Sequence, residues 1–261
     1  MDISITRRVL LAAAFAFFTG PGFSQADAPV IAAAANMQFA VIEIAESFTA
    51  ETGMQVRLSF GSTGNLSRQI SEGAPFELLL AADDATPLLL DRAGLTRDAG
   101  RIYALGRIVL VAPNGSSLDP SEGLDGVRAL LDAGGITRFA IANPDHAPFG
   151  IAARAALMSQ GLWEDLQPVL VLGENVSQAA QFALSGNAEG GIIAYSLARA
   201  PEVAARGTYA LIPEDWHEPL RQRMVLLNGA GEVAAAFYAY MNTPAAREIM
   251  QRYGFVLPQG E

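Results

Sequence analysis

The chain has 261 residues, with 27 acids against 17 bases and a formal net charge of −10 at pH 7. A surface of that sign repels nucleic acid and anionic lipid, and no basic cluster offsets it. Cysteine and lysine are both absent, which excludes disulfides, thiolate chemistry, Schiff-base chemistry and a P-loop lysine.

At the amino terminus Arg7 and Arg8 precede an apolar run at 9–18 and a Gly20-Pro21-Gly22 break. Ser24 and Ala26 then put small residues where a signal peptidase inspects. This order predicts a secretory signal peptide over 1–26 and a mature, exported chain beginning near Asp27. The run falls short of the roughly 20 apolar residues a membrane helix needs; a buried amino-terminal helix is the plainer alternative. The Arg7-Arg8 pair leaves ordinary secretion and twin-arginine export both open. Cleavage before Asp27 removes one acid and two bases, which takes the net charge to −11.

Beyond the leader, short apolar runs alternate with segments of helical period. Strands are predicted at 29–34, 56–60, 77–82, 107–112, 138–142, 169–172, 191–195, 208–212 and 224–227. Between the first two, Val41, Ile44, Ala45 and Phe48 form one apolar stripe, with Glu43, Glu46 and Ser47 off it. Gly53 closes that helix as a carboxy-terminal cap. Strand–helix alternation with short connections predicts an α/β class with parallel sheets. The last stretch reads as two successive helices, 232–242 and 244–253.

About 235 mature residues fit one large or two modest domains. No Gly/Pro/Ser-rich tether stands out near mid-chain; segments 106–111 and 223–227 read as strands instead. A chain that crosses between two lobes and returns would give this pattern. No internal sequence repeat accompanies it.

The enzyme options are limited by two histidines, His146 and His217. A Ser-His-Asp triad or a His-rich metal site is hard to assemble from so few. Asp145-His146 and Glu214-Asp215-Trp216-His217 are adjacent loop residues, which rarely converge on one ion. The Ser71-Glu72 and Asp83-Asp84 acids read as simple surface residues. No catalytic residues and no cation site are therefore assigned.

What recurs is a strand that runs into a small or polar turn and then a helix. It occurs at Ala34-Ala35-Asn36, Gly61-Ser62-Thr63-Gly64, Ala147-Pro148-Phe149-Gly150 and Asn175-Val176-Ser177. In a parallel sheet such turns lie at the carboxyl ends of the strands, where open α/β folds bind ligands. Each opens a helix, so unpaired N–H groups and the positive end of the dipole face one crevice. Asn36, Thr63 and Ser177 are also ordinary capping types, so one corner alone says little. Together, on an acidic protein, the corners point to capture of a small anion by oriented dipoles.

The same residues carry a resemblance. Ala33-Ala34-Ala35-Asn36, Phe60-Gly61-Ser62-Thr63-Gly64 with Arg68-Gln69-Ile70, and Gly73-Ala74-Pro75-Phe76-Glu77-Leu78 with Ala82-Asp83 resemble the molybdate-binding proteins of ABC importers. Asn143-Pro144-Asp145-His146-Ala147-Pro148-Phe149-Gly150, Gly173-Glu174-Asn175-Val176-Ser177-Gln178-Ala179 and Arg252-Tyr253-Gly254-Phe255 continue it along essentially the whole mature chain. The resemblance implies a two-lobed, type II periplasmic-binding-protein fold with the ligand cleft between the lobes. It divides the chain into lobe 1, 27–108 plus 224–261, and lobe 2, 109–223. It implies a monomeric periplasmic receptor with no cofactor, binding molybdate or tungstate and serving an ABC permease in the inner membrane. Molybdenum would be held only as the oxyanion.

Carried over by position, Asn36 and Thr63 supply side-chain and backbone donors, Ser62 shares that work, and Phe149 and Val176 supply backbone N–H. Many relatives have serine at the position of Asn36, although a branch with asparagine exists. Many also place an anion-binding tyrosine at the position of Ala194, whereas here Tyr195 follows and, by strand alternation, faces the other way. Sulfate, phosphate and ferric-ion receptors share the architecture, so another anion is the alternative ligand. A periplasmic hydrolase is the alternative of a different class.

Overall fold

The apolar run Val30–Ala34 forms β1, the first strand of the computed structural model, which describes residues 28–258. The signal peptide expected over 1–26 lies outside the described residues. β1 passes through a 3-10 turn, Ala35–Met37, into α1 (Gln38–Thr52). Val41, Ile44 and Phe48 of α1 are buried while Glu46 is exposed, as the stripe requires. Gly53 ends the helix with a φ of 72°, a left-handed conformation that costs glycine nothing sterically. The chain continues through β2 (Arg57–Gly61), α2 (Thr63–Ser71), β3 (Phe76–Leu80), α3 (Ala85–Arg92) and β4 (Arg101–Gly106).

Only Arg107 separates β4 from β5 (Ile108–Pro113), and there the chain passes to a second sheet. α4 (Gly123–Asp132), β6 (Phe139–Ala142), α5 (Pro148–Ser159), α6 (Trp163–Leu166), β7 (Leu170–Gly173) and α7 (Val176–Ala183) follow. β8 (Gly190–Ala194), α8 (Tyr195–Ala198), α9 (Pro201–Ala204) and β9 (Gly207–Leu211) complete this unit. The chain returns as β10 (Leu220–Leu226) and ends in α10 (Glu232–Tyr240) and α11 (Pro244–Arg252). Leu220–Arg223, which the sequence reading put in the second lobe, pair within the first sheet.

The strand orders are β2-β1-β3-β10-β4 and β7-β6-β8-β5-β9. β1 runs parallel to β2 and β3, and β6 parallel to β7 and β8. β10 is antiparallel to β3 and β4, and β5 to β8 and β9. The sheets are therefore mixed, not parallel throughout. Each reversed strand is the one that arrives from the other sheet. It enters beside the carboxyl ends of the parallel strands and must run down against them. The two orders correspond place for place, so the lobes share one topology without a sequence repeat.

Each lobe has its own core. Ile31, Ile44, Phe48, Leu78 and Phe237 fill the first, with the rings of Phe48 and Phe237 edge to face at 5.2 Å. Val109, Phe139, Ile141 and Leu157 fill the second, and this cluster reaches Ala34, Ala35 and Ala82 of the first lobe. Apolar contact thus continues across the cleft floor.

Candidate functional site

The four corners meet. Asn36 lies in the turn after β1; Ser62 precedes α2 and Thr63 opens it; Phe149 lies in the first turn of α5; Val176 opens α7. All five residues line one small cavity, together with Ala35, Gly61, Ala147 and Pro148. Among the described residues, no arginine, carboxylate or histidine lines it. Asn36, Ser62 and Thr63 are buried polar groups, at 1%, 4% and 0% exposure.

The available hydrogens can be counted. The Thr63 hydroxyl accepts from the Ala82 N–H at 2.9 Å, so its own hydrogen is free for the cavity. Gly150 N–H goes to Ala147 O and Gln178 N–H to the Asn175 side chain. Phe149 and Val176 stand in the first turns of their helices, where N–H groups have no intrahelical acceptor. The Asn36 turn is pinned from the other lobe, because Ser196 Oγ donates to Asn36 O at 2.8 Å.

Three partners escaped sequence reasoning. Gln222, on β10, lies 3.1 Å from Asn36 Nδ2 through its Oε1, and the Tyr103 hydroxyl lies 3.0 Å from the same oxygen. His146, read from sequence as a solvated loop residue, sets its Nδ1 2.9 Å from Ser62 Oγ across the cleft. Its carbonyl accepts from Gly64 N–H at 3.0 Å. Motifs at β-strand ends pointed to Asn36 and Thr63. Nothing local marks Gln222, 186 residues away.

The Ser62–His146 contact is the hydroxyl–imidazole pair a hydrolase would need, but the third member falls short. Glu174 stands 3.7 Å from His146 Nε2 with a side chain 66% exposed, and it accepts from Asn65 Nδ2. A triad acid is buried and orients the ring. Neither Ala194 nor Tyr195 is among the cavity's lining. Ala194 is fully buried, and the Tyr195 ring packs on Tyr209 and against Gly254. Asp83, read as a surface residue, is partly buried just outside the corner. Burial pushes its carboxyl above the ordinary range, against the hydrogen bond it accepts from Thr86. Among the described residues, no three His, Cys, Asp or Glu side chains gather to hold a metal ion. No helix among them is long and apolar enough to cross a membrane.

Helix-opening turns that converge between two lobes of common topology are the arrangement of a solute-capturing binding protein. Residues 29–256 match the model of the bacterial extracellular solute-binding proteins, and the chain belongs to that family. It is 38% identical to a molybdate-binding protein of Rhodobacter capsulatus, over 94% of this chain and 95% of the relative. The solved periplasmic molybdate-binding protein of Azotobacter vinelandii is similar at a TM-score of 0.81 and 30% identity, covering 88% of this chain and all of that one. A sulfate-binding protein of Mycobacterium tuberculosis shares the fold at a TM-score of 0.70 and 17% identity, covering 87% of this chain and 86% of that one.

Proposed function

We propose that this chain captures molybdate or tungstate outside the cytoplasm and hands it to an ABC permease. Asn36 and Thr63 donate through side chains, Ser62 shares that work, and Phe149 and Val176 donate backbone N–H. The observation that carries this reading is one cavity at which four helix-opening turns converge, with neither a cation nor a carboxylate among the described residues that line it. Phosphate retains a proton near neutral pH and needs an acceptor in its site. Backbone N–H and hydroxyl donors at helix-opening turns, with no carboxylate beside them to accept that proton, fit a fully deprotonated tetrahedral dianion. The relatives with which the chain aligns end to end bear the name molybdate-binding.

Sulfate is the competing ligand, because the sulfate-binding fold is the same and sulfate is also a dianion. Calorimetry of the ligand-free mature chain with molybdate, tungstate, sulfate and phosphate tests the reading. Tight binding of the first two alone supports it. Sulfate binding as tightly as molybdate would replace it with a general dianion receptor. Export rests on the leader over 1–26: periplasmic protein should begin near Asp27, and amino-terminal sequencing that found Met1 would contradict this.

A further inference from the structure

We infer that Gln222, held by Tyr103, is a positioning residue that turns the amide nitrogen of Asn36, not its carbonyl, into the cavity. The inference rests on the reading of Asn36 as a ligand donor. Gln222 is fully buried on β10, opposite Ala104 of β4. A Cβ at Gly106 would lie 2.5 Å from its Nε2, so glycine at the lobe crossing makes room for this amide.

With the Gln222 carbonyl toward its neighbours, the Tyr103 hydroxyl faces two acceptors at 3.0 Å, Gln222 Oε1 and Ala81 O. A phenol has one hydrogen to give, and burial holds this one protonated well above its ordinary range. Asn36 Oδ1 and Gln222 Nε2 are then both buried without a partner. A half-turn of both amides exchanges nitrogen and oxygen in place and leaves fewer groups unpaired. Gln222 Nε2 gives one hydrogen to Tyr103 Oη and the other to Asn36 Oδ1. The Tyr103 hydrogen goes to Ala81 O, and Asn36 Nδ2 keeps its hydrogens for the cavity. The group left over outside the cavity is the Gln222 carbonyl, and an orphaned acceptor is better tolerated than an orphaned N–H.

The orientation decides which ligand fits. A fully deprotonated oxyanion offers only acceptors and is met by Asn36 N–H. With the carbonyl inward two acceptors would oppose each other, and a protonated anion such as hydrogen phosphate would be favoured instead. The Gln222–Tyr103 pair therefore selects the protonation state of the ligand through Asn36.

A double-mutant cycle on the full mature chain tests this, with molybdate affinity as the readout for Gln222→Met, Asn36→Ala and the pair. Gln222→Met is expected to weaken binding roughly tenfold, and that loss should vanish in the Asn36→Ala background. Equal losses in both backgrounds would make Gln222 a space-filling residue and overturn the inference. An Asn36→Ala variant that binds like the parent would instead overturn the reading of the site itself. Should Gln222→Met fail to fold, Tyr103→Phe takes its place in the cycle. Side-chain amide NMR of the unmutated protein is the independent arm. Molybdate should shift the Asn36 NH2 pair strongly, while the Gln222 pair stays hydrogen-bonded with and without ligand. A Gln222 pair with unbonded shifts would refute the proposal.

Discussion

Thr63 serves two masters, since the hydroxyl that faces the cavity also satisfies the buried Ala82 N–H. Thr63→Ala and Asn36→Ala should each remove one donor to a charged acceptor, costing about 1.5–3 kcal/mol, or ten- to a hundred-fold in affinity. Thr63→Ala should also lower the unfolding midpoint, because Ala82 N–H loses its partner; Thr63→Ser should restore both measurements. Phe149→Leu should change affinity little, since only its backbone is proposed to bind. Asp83 gives a pH prediction. Its raised pKa means that the folded chain holds the proton more firmly than the unfolded one. The ionised carboxylate therefore detracts from stability at neutral pH, and the penalty fades as pH falls through the raised value. Asp83→Asn keeps an acceptor for Thr86 N–H. It should raise the melting temperature at neutral pH, with the gain shrinking in acid; a gain that grew in acid would refute the assignment. The meeting of Asn36 and Thr63 at one crevice was legible because their type and their place after a strand coincide. Gln222, Tyr103 and His146 were not, because each acquires its role only when remote strands or the opposite lobe arrive.

Helix-opening turns place the donors, and they also set how closely the lobes approach. Gly64, in the first turn of α2, gives its N–H to His146 O across the cleft, and a Cβ there would stand 2.6 Å from that oxygen. The contact lies between lobes, so Gly64→Ala should leave each lobe's own packing alone and oppose closure. A steric conflict of this kind costs about 1–3 kcal/mol. Molybdate affinity should fall by roughly tenfold or more, with little change in the ligand-free melting temperature; titration and thermal unfolding together check it. A variant that bound normally would show that the lobes close without this contact. The elements themselves were largely readable from period and punctuation, including α1, its Gly53 cap and the paired helices α10 and α11. β4 escaped altogether: the strand expected at 107–112 covers β5 alone, and only Arg107 parts the two. Strand direction was not legible either. Alternation says that strands neighbour one another, whereas the reversal of β5 and β10 follows from where the chain enters each sheet.

For the molecule as a whole, charge and site pull in opposite directions. A chain with a net charge of −10 and no lysine repels an approaching dianion, and no arginine among the described residues lines the cavity to offset that. Affinity must then come from N–H and O–H dipoles after the ligand has shed its water, and selectivity from fit. Fixed turns hold the donors at set distances. Molybdate and tungstate have longer bonds from centre to oxygen than sulfate, so a ring sized for them stretches sulfate's hydrogen bonds. Each poorly made bond to a charged group forfeits on the order of 1 kcal/mol, and several together give about a thousand-fold. Donors as buried as Asn36, Ser62 and Thr63 are screened little by salt, whereas the long-range repulsion is screened strongly. Affinity for molybdate should therefore vary only mildly with ionic strength, and the association rate should rise slightly as salt is added. A lysine- or arginine-lined site would show the opposite sign. Stopped-flow association and competition titration across a salt series measure both quantities. An association rate that fell steeply with salt would place a cation at the site and overturn the dipole account, and sulfate displacing molybdate at comparable concentration would overturn the fit.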